Sequence, residues 1–155
     1  MKATVTLIVP CYNEEESLPF FYNAVCDVAR QLPDYRISLL LVNDGSKDGT
    51  LRVMRELAAR DERVQYLSFS RNFGKEAAMY AGLQNASGDY CVFMDADLQH
   101  PPETLVEMYR LWEQGYEVVE GVKRSRGKES VLHRASAGMF YKIIAFGLAA
   151  VYGAQ

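Results

Sequence analysis

Two aspartates one residue apart, Asp95 and Asp97, end the apolar run that opens CVFMDADLQHPP (91–102). At a strand end, residues i and i+2 project to the same side. Two carboxylates so placed repel each other and are costly to bury without a partner. A hard divalent cation resolves the conflict. Mg²⁺ or Mn²⁺ takes oxygen ligands, needs only one or two carboxylates from the protein, and shares them with substrate phosphates. The plainer alternative is a solvated Asp-Ala-Asp turn in which Asp97 caps the loop before the next helix. Asp44 ends a second apolar run, RISLLLVND (36–44), and is followed by Gly45. Its carboxylate can accept hydrogen bonds from a base edge or a ribose. It can also cap the Gly45–Thr50 turn, a task for which Asp48 competes. Tyr12, Asn13 and Glu14 open a helix after the first strand. Free N–H groups there suit an anion or a nucleotide ring, and simple capping is compatible with that use.

Strands and helices must bring these residues together. ATVTLIVP (3–10) is a β-branched run that ends at a proline. Residues 13–32 place Leu18, Phe21, Val25, Val28 and Leu32 at helical spacing, with Asn13 as cap and Glu16 as its capping-box partner. RISLLLVND reads as a strand covered on both faces. Further helices are expected at 49–60 (capped by Asp48), 74–86 and 101–114. The last carries prolines at its first positions, where the missing N–H costs little. Further strands are expected at 63–70, 89–95 and 116–122. Strand and helix thus alternate five times, the pattern of a parallel α/β sheet with right-handed crossovers. Ligands of such sheets bind beyond the C-terminal ends of the strands. Those ends read PCYNE (10–14), VNDGSKDGT (42–50), SRNFGKEAA (70–78), DADLQHPPE (95–103) and EGVKRSR (120–126). Five polar, turn-forming segments on one edge point to a site.

Several chemistries are excluded. No GxGxxG follows the first strand, no GxxxxGK[ST] occurs, and there is no GxSxG or nucleophile–histidine pairing. His100 and His133 lack metal-ligand spacing. Cys11, Cys26 and Cys91 form no CxxC pair, which argues against a disulfide framework and a structural zinc site and fits reduced thiols in a cytosolic compartment. The chain has 155 residues, 49% hydrophobic and 24% charged, enough for one domain with a real core. The net charge of −3 is unevenly spread: residues 1–120 hold 11 Lys/Arg against 19 Asp/Glu, and residues 121–155 hold 6 against 1. A basic tail on an acidic body fits an anionic partner, whether phosphate, lipid headgroup or nucleic acid, or a solvated basic helix.

Together, IVPCYNEEESL, LLLVNDGSKDGT, SFSRNFGKEAAMYAGLQNASGDYCVFMDADLQHPPE and EGVKRSR resemble the family-2 glycosyltransferases of the GT-A fold. Within them the likeness is greatest to polyprenyl-phosphate sugar transferases, of the dolichol-phosphate mannosyltransferase and bactoprenol glucosyltransferase type. The resemblance covers nearly the whole chain. It implies a GT-A, Rossmann-like, mostly parallel sheet with helices on both faces. It implies that Pro10, Tyr12 and Glu14 form the first nucleotide-contacting loop and that Asp44 reads the nucleobase. Asp95 is then near the ribose and metal, Asp97 is the direct ligand of Mg²⁺ or Mn²⁺, and Gln99 lies near the sugar or acceptor phosphate. Arg71, Asn72, Gly74 and Lys75 form a family signature, with Lys75 on the nucleotide side. Arg124 and Arg134 resemble the arginines that handle the donor diphosphate and the acceptor phosphate. Members of this type run longer than this chain, so the sequence reads as a shortened form.

The implied reaction moves a sugar from a nucleotide-diphosphate donor, UDP- or GDP-linked, to a polyprenyl phosphate at the cytoplasmic membrane face. A hydroxyl acceptor needs a general base, whereas a phosphate is already ionised. The strip Lys123, Arg124, Arg126, Lys128, His133 and Arg134 suits such an acceptor. Residues 1–129 read as the donor-binding core and 130–155 as an amphipathic, membrane-interfacial helix, since Lys142 interrupts VLHRASAGMFYKIIAFGLAAVYG (131–153) too much for a spanning helix. A core helix is the alternative. No nucleic acid is expected as partner, and an open sheet edge with an apolar tail predicts self-association. Three rivals stand beside this reading. One is a transferase to a saccharide or protein hydroxyl, and another is a nucleotide-binding module without turnover. The third, a phosphoacceptor receiver domain, expects its acid pair after strand one rather than strand four.

Overall fold

The computed structural model describes residues 3–99 and 101–121. Eight elements alternate: β1 (Ala3–Cys11), α1 (Leu18–Gln31), β2 (Tyr35–Asn43), α2 (Thr50–Arg60), β3 (Val64–Ser68), α3 (Lys75–Asn85), β4 (Tyr90–Phe93) and α4 (Thr104–Glu113). The four strands are all parallel and lie in the order β3-β2-β1-β4.

That order follows from handedness. The chain steps from β1 to β2 to β3 in one direction, then returns past β1 to β4. Right-handed crossovers require the helix of the returning step to lie on the opposite face. The packing agrees. Val5, Leu7 and Val9 of β1 share one core with Leu18, Phe21, Val25 and Val28 of α1, Val53, Met54 and Leu57 of α2, and Leu105 and Tyr109 of α4. Ile8 points the other way, into a smaller core with Val42 and Ala78 of α3. The sheet is therefore covered on both faces, which explains the unbroken apolar run in β2.

The small second core depends on close approach. Gly82 of α3 is buried, and a Cβ there would fall 2.2 Å from Cγ2 of the fully buried Ile8. Only a residue without a Cβ lets α3 settle this deep on the sheet.

Three elements differ from the sequence reading. Helix α1 begins at Leu18, not at Asn13. Asn13 is held in the left-handed region at φ 55°, and its side-chain oxygen accepts the Lys47 N–H at 2.9 Å. It joins two loops instead of capping a helix, and Glu16 is no capping-box partner to it. Pro101 and Pro102 form the turn that leads into α4, which starts at Thr104. The strand expected at 116–122 is not formed over 116–121. Its alternation is real, but a strand needs a ladder, and among the described residues the sheet ends at β4. Tyr116 and Val118 are accordingly 58% and 84% exposed. The expected helix at 130–155 lies outside the described residues. Among the described residues no helix is long and apolar enough to cross a membrane.

Two predictions follow from the packing. Gly82→Ala should destabilise the chain by about 1–3 kcal/mol through overpacking against Ile8. Helix propensity alone would favour Ala by up to about 1 kcal/mol, so urea denaturation separates the two by sign. Tyr109 stacks on Tyr35 at 4.7 Å, and its buried hydroxyl has no hydrogen-bond partner among the described residues. Tyr109→Phe keeps the stack and removes an uncompensated polar atom, so it should raise stability by about 1 kcal/mol. A lowered melting midpoint would show instead that the hydroxyl is bonded.

Candidate active site

All four strands point their C-terminal ends to one edge. β1 and β4 are neighbours at the point where the strand order reverses. The crevice between such strands is where α/β sheets take ligands. Tyr12–Glu14 follow β1 and Asp95–Gln99 follow β4, so two of the predicted segments flank this crevice.

The loops after β1 and β2 are clasped together. The Asn13 N–H donates to Ser46 Oγ at 3.0 Å, Glu14 N–H to Thr50 Oγ1 at 2.8 Å, and Glu15 N–H to Asp48 Oδ2 at 3.2 Å. In return, Glu15 Oε2 accepts the Gly49 N–H. Asp48 also accepts the Thr50 N–H at 3.0 Å, so the turn before α2 is held by Asp48 and not by Asp44. Bonds from Thr50 and from Glu15 hold the Asp48 carboxyl below its ordinary range, against a desolvation that acts the other way. Tyr12 stands beside this clasp, 42% exposed. Pro10 is half-buried within β1, opposite Val42.

Asp44 is 3% exposed. Its Oδ1 accepts the Phe73 N–H at 2.7 Å and its Oδ2 accepts the Gly74 N–H at 3.0 Å. The acid that ends β2 therefore grips the backbone of the loop after β3. Gly45 makes the grip possible. At φ 65°, a Cβ on it would fall 2.2 Å from the Arg71 carbonyl carbon. The gripped loop also carries an aromatic platform, with Phe69 and Phe73 edge to face at 5.6 Å and the Arg71 guanidinium 4.7 Å from the Phe73 ring centre.

The same loop delivers Lys75 to β4. Its Nζ lies 2.6 Å from Oδ1 and 2.8 Å from Oδ2 of Asp95. Asp97 is exposed, and its Oδ1 accepts the Gln99 N–H at 3.0 Å. Ala96 between the two acids is buried. Cys11, at the end of β1, is buried. Burial pushes its thiol far above the ordinary range, with Glu14 and Asp95 adding to the effect. Burial thus disfavours its thiolate, the nucleophilic form. Among the described residues no three His, Cys, Asp or Glu side chains cluster to hold a metal ion.

Of the residues expected at the site, Tyr12, Glu14, Asp44, Lys75, Asp95, Asp97 and Gln99 all fall on this edge, as does Pro10 just below it. Arg124, Arg134, His100, His133 and the basic strip 123–134 lie outside the described residues. Two features escaped the sequence reading: the double acceptance by Asp44 and the contact of Lys75 with Asp95. An acid ending a buried strand, with a glycine just before a helix elsewhere in the chain, is the only signal either leaves.

A parallel sheet wound both ways from β1, with acids at its switch point, is an architecture in which α/β domains bind nucleotides. The chain belongs to the Glycosyl transferase family 2, whose profile matches residues 6–149. It is 41% identical over 139 residues to the bactoprenol glucosyl transferase of Shigella phage SfV, covering 90% of this chain and 45% of that protein. It is 42% identical to the uncharacterized glycosyltransferase YkcC of Bacillus subtilis, over 90% of this chain and 43% of the relative. The chain thus spans less than half the length of these curated relatives. Among solved structures, the mannosyltransferase PcManGT from Pyrobaculum calidifontis, in complex with GDP-Man and Mn²⁺, matches with a TM-score of 0.64 and 26% identity, over 80% of this chain and 36% of that one. S. aureus TarS 1-349 in complex with UDP matches at 0.59 and 22% identity, over 82% and 38%. The fold is GT-A.

The grip of Asp44 is open to test. In Asp44→Asn the amide offers one acceptor oxygen and turns an NH₂ toward an N–H donor. The loss should be about 1–3 kcal/mol. Amide hydrogen exchange at Phe73 and Gly74 should quicken more than in α1. Equal protection in mutant and wild type would show that the loop stands without the carboxylate.

Proposed function

We propose that the protein transfers a sugar from a nucleotide-diphosphate donor to a polyprenyl phosphate at the cytoplasmic face of a membrane. The described residues carry the donor half of that site. The acids at the β1/β4 crevice support this, in a chain 41% identical to a named bactoprenol glucosyl transferase.

Each described residue has a part in donor binding. Tyr12 offers an exposed ring to the nucleobase beside the clasped loops. Asp44 has both oxygens engaged with backbone N–H groups, yet a carboxylate has about four acceptor sites, so it can take a base or ribose donor without releasing the loop. Asp95 and Asp97 are hard oxygen ligands on an open edge. They fit Mg²⁺ or Mn²⁺, which completes its shell from phosphates when the protein supplies only one or two carboxylates. When bound, such an ion supplies Lewis-acid neutralisation of the departing diphosphate. Gln99, whose backbone N–H is bonded to Asp97, is assigned to the sugar or the acceptor phosphate. Arg124 is assigned to the diphosphate as a planar clamp and Arg134 to the acceptor phosphate. The acceptor is ionised before it attacks, so positioning and electrostatics provide the rate and no general base is required.

Calorimetric titration of this chain with UDP and GDP, with and without Mn²⁺, tests the reading. Binding should require the ion and weaken at least tenfold in Asp97→Asn, a loss of about 1.4 kcal/mol or more. The preferred base then narrows the donor. Binding indifferent to both Mn²⁺ and Asp97 would remove the ion from the reading. No binding of either nucleotide to the folded chain would remove the donor site.

A further inference from the structure

One contact at the crevice has no part in the scheme above. A single ammonium, Lys75 Nζ, spans both oxygens of Asp95. These are the oxygens a divalent ion would need. The contact is not the chance fold of a loose surface chain. Lys75 is the first residue of α3, and the two residues before it are fixed. Phe73 and Gly74 give their N–H groups to the buried Asp44, and Gly74 sits at φ 101°, where a side chain is strained. The end of β2 thus aims a lysine at the end of β4.

The pair is also exchangeable. The side chains of Lys75 and Asp95 are 55% and 34% exposed. Ion pairs in such surroundings are weak, because water and salt screen them. An ammonium on a flexible stem can swing away, where a guanidinium fork would stay. Asp97 lies two residues off and repels a bare Asp95, so some cation is needed there before a donor arrives.

We propose that Lys75 is a placeholder cation. It neutralises and orients Asp95 in the donor-free protein, then yields those oxygens to a divalent ion that enters with a diphosphate. The released ammonium turns to the phosphates. Competition from Lys75 disfavours the free ion and leaves the ion–diphosphate pair as the preferred entrant. Lys75 is then a positioning residue. The inference rests on the donor-binding reading above.

The test uses Mn²⁺ alone, followed through the electron paramagnetic resonance signal of the free ion. The chains are wild type, Lys75→Met, Lys75→Arg and the double variant Lys75→Met/Asp95→Asn. Lys75→Met should bind Mn²⁺ up to roughly fivefold tighter than wild type, the size expected when a weak competing ion pair is removed. Lys75→Arg should bind no tighter than wild type, and the double variant should lose the gain. Circular dichroism confirms folding of each chain. A lysine with a merely structural role would give no gain in Lys75→Met. Affinity unchanged or weakened in that variant overturns the proposal, as does a gain that persists without Asp95. The two readings fail separately: wild type that binds neither UDP nor GDP with Mn²⁺ sinks the donor site, whereas an unmoved Mn²⁺ affinity sinks only the placeholder.

Discussion

The hand of the crossover governs this molecule. Two right-handed steps carry the chain outward from β1 to β3, and one returns it to β4. Because the return must also be right-handed, α3 is forced to the face opposite α1 and α2. The consequences are local and specific. β1 becomes an interior strand with a core on each face. Ile8 needs a partner of its own, and Gly82 must be small enough to provide it. Most importantly, β4 is set beside β1 where the strand order reverses, and the loops after these two strands bring the acids to one edge.

The edge above that crevice is tied by carboxylates reaching across strands. Asp48 and Glu15 lock the first two loops, Asp44 locks the loop after β3, and Lys75 passes from that loop to Asp95. Each tie uses a charged acceptor on a backbone N–H or an ammonium, the stronger kind of hydrogen bond. The result is a frame in which Asn13, Glu14 and Asp95 are set by contacts made far from their own strands. A displacement of the β3 loop would be felt at β4, although the two strands are the outermost of the described sheet.

What the sequence disclosed divides along the same line. Leu18, Phe21, Val25 and Val28 were legible as the buried face of α1 because periodicity reports burial directly, and all four are buried. The run in β2 was legible because both its faces are covered. Asn13 was misread because a good capping residue is equally good at bonding a neighbouring loop, and the loop it meets lies 34 residues away. The partners of Asp44 lie 29 and 30 residues away and are backbone groups, which have no residue type to recognise. Residues 116–121 show the opposite case. Their alternation is a true local signal, but pairing decides a strand, and a ladder partner cannot be read from the segment that needs it.

The placement of the acids has a further cause. In a parallel sheet with helical crossovers, helix N-termini and strand C-termini share an edge. Among the described residues none of the four helices carries a side-chain hydrogen bond from its N-cap residue: Ser17, Gly49, Gly74 and Glu103 hold those positions without one. Asp48 takes the Thr50 N–H at the start of α2 from outside the cap position, and glycine at the cap costs only about a few tenths of a kcal/mol, so the stability forgone at this edge is modest. The N–H groups left over give the edge a positive character, equivalent to roughly half a charge at each helix start. Four carboxylates, Glu14, Asp44, Asp95 and Asp97, stand at that edge, with Lys75 paired to Asp95 among the described residues. A positive edge of this kind suits anionic groups in general, and filling the caps for stability would weaken it.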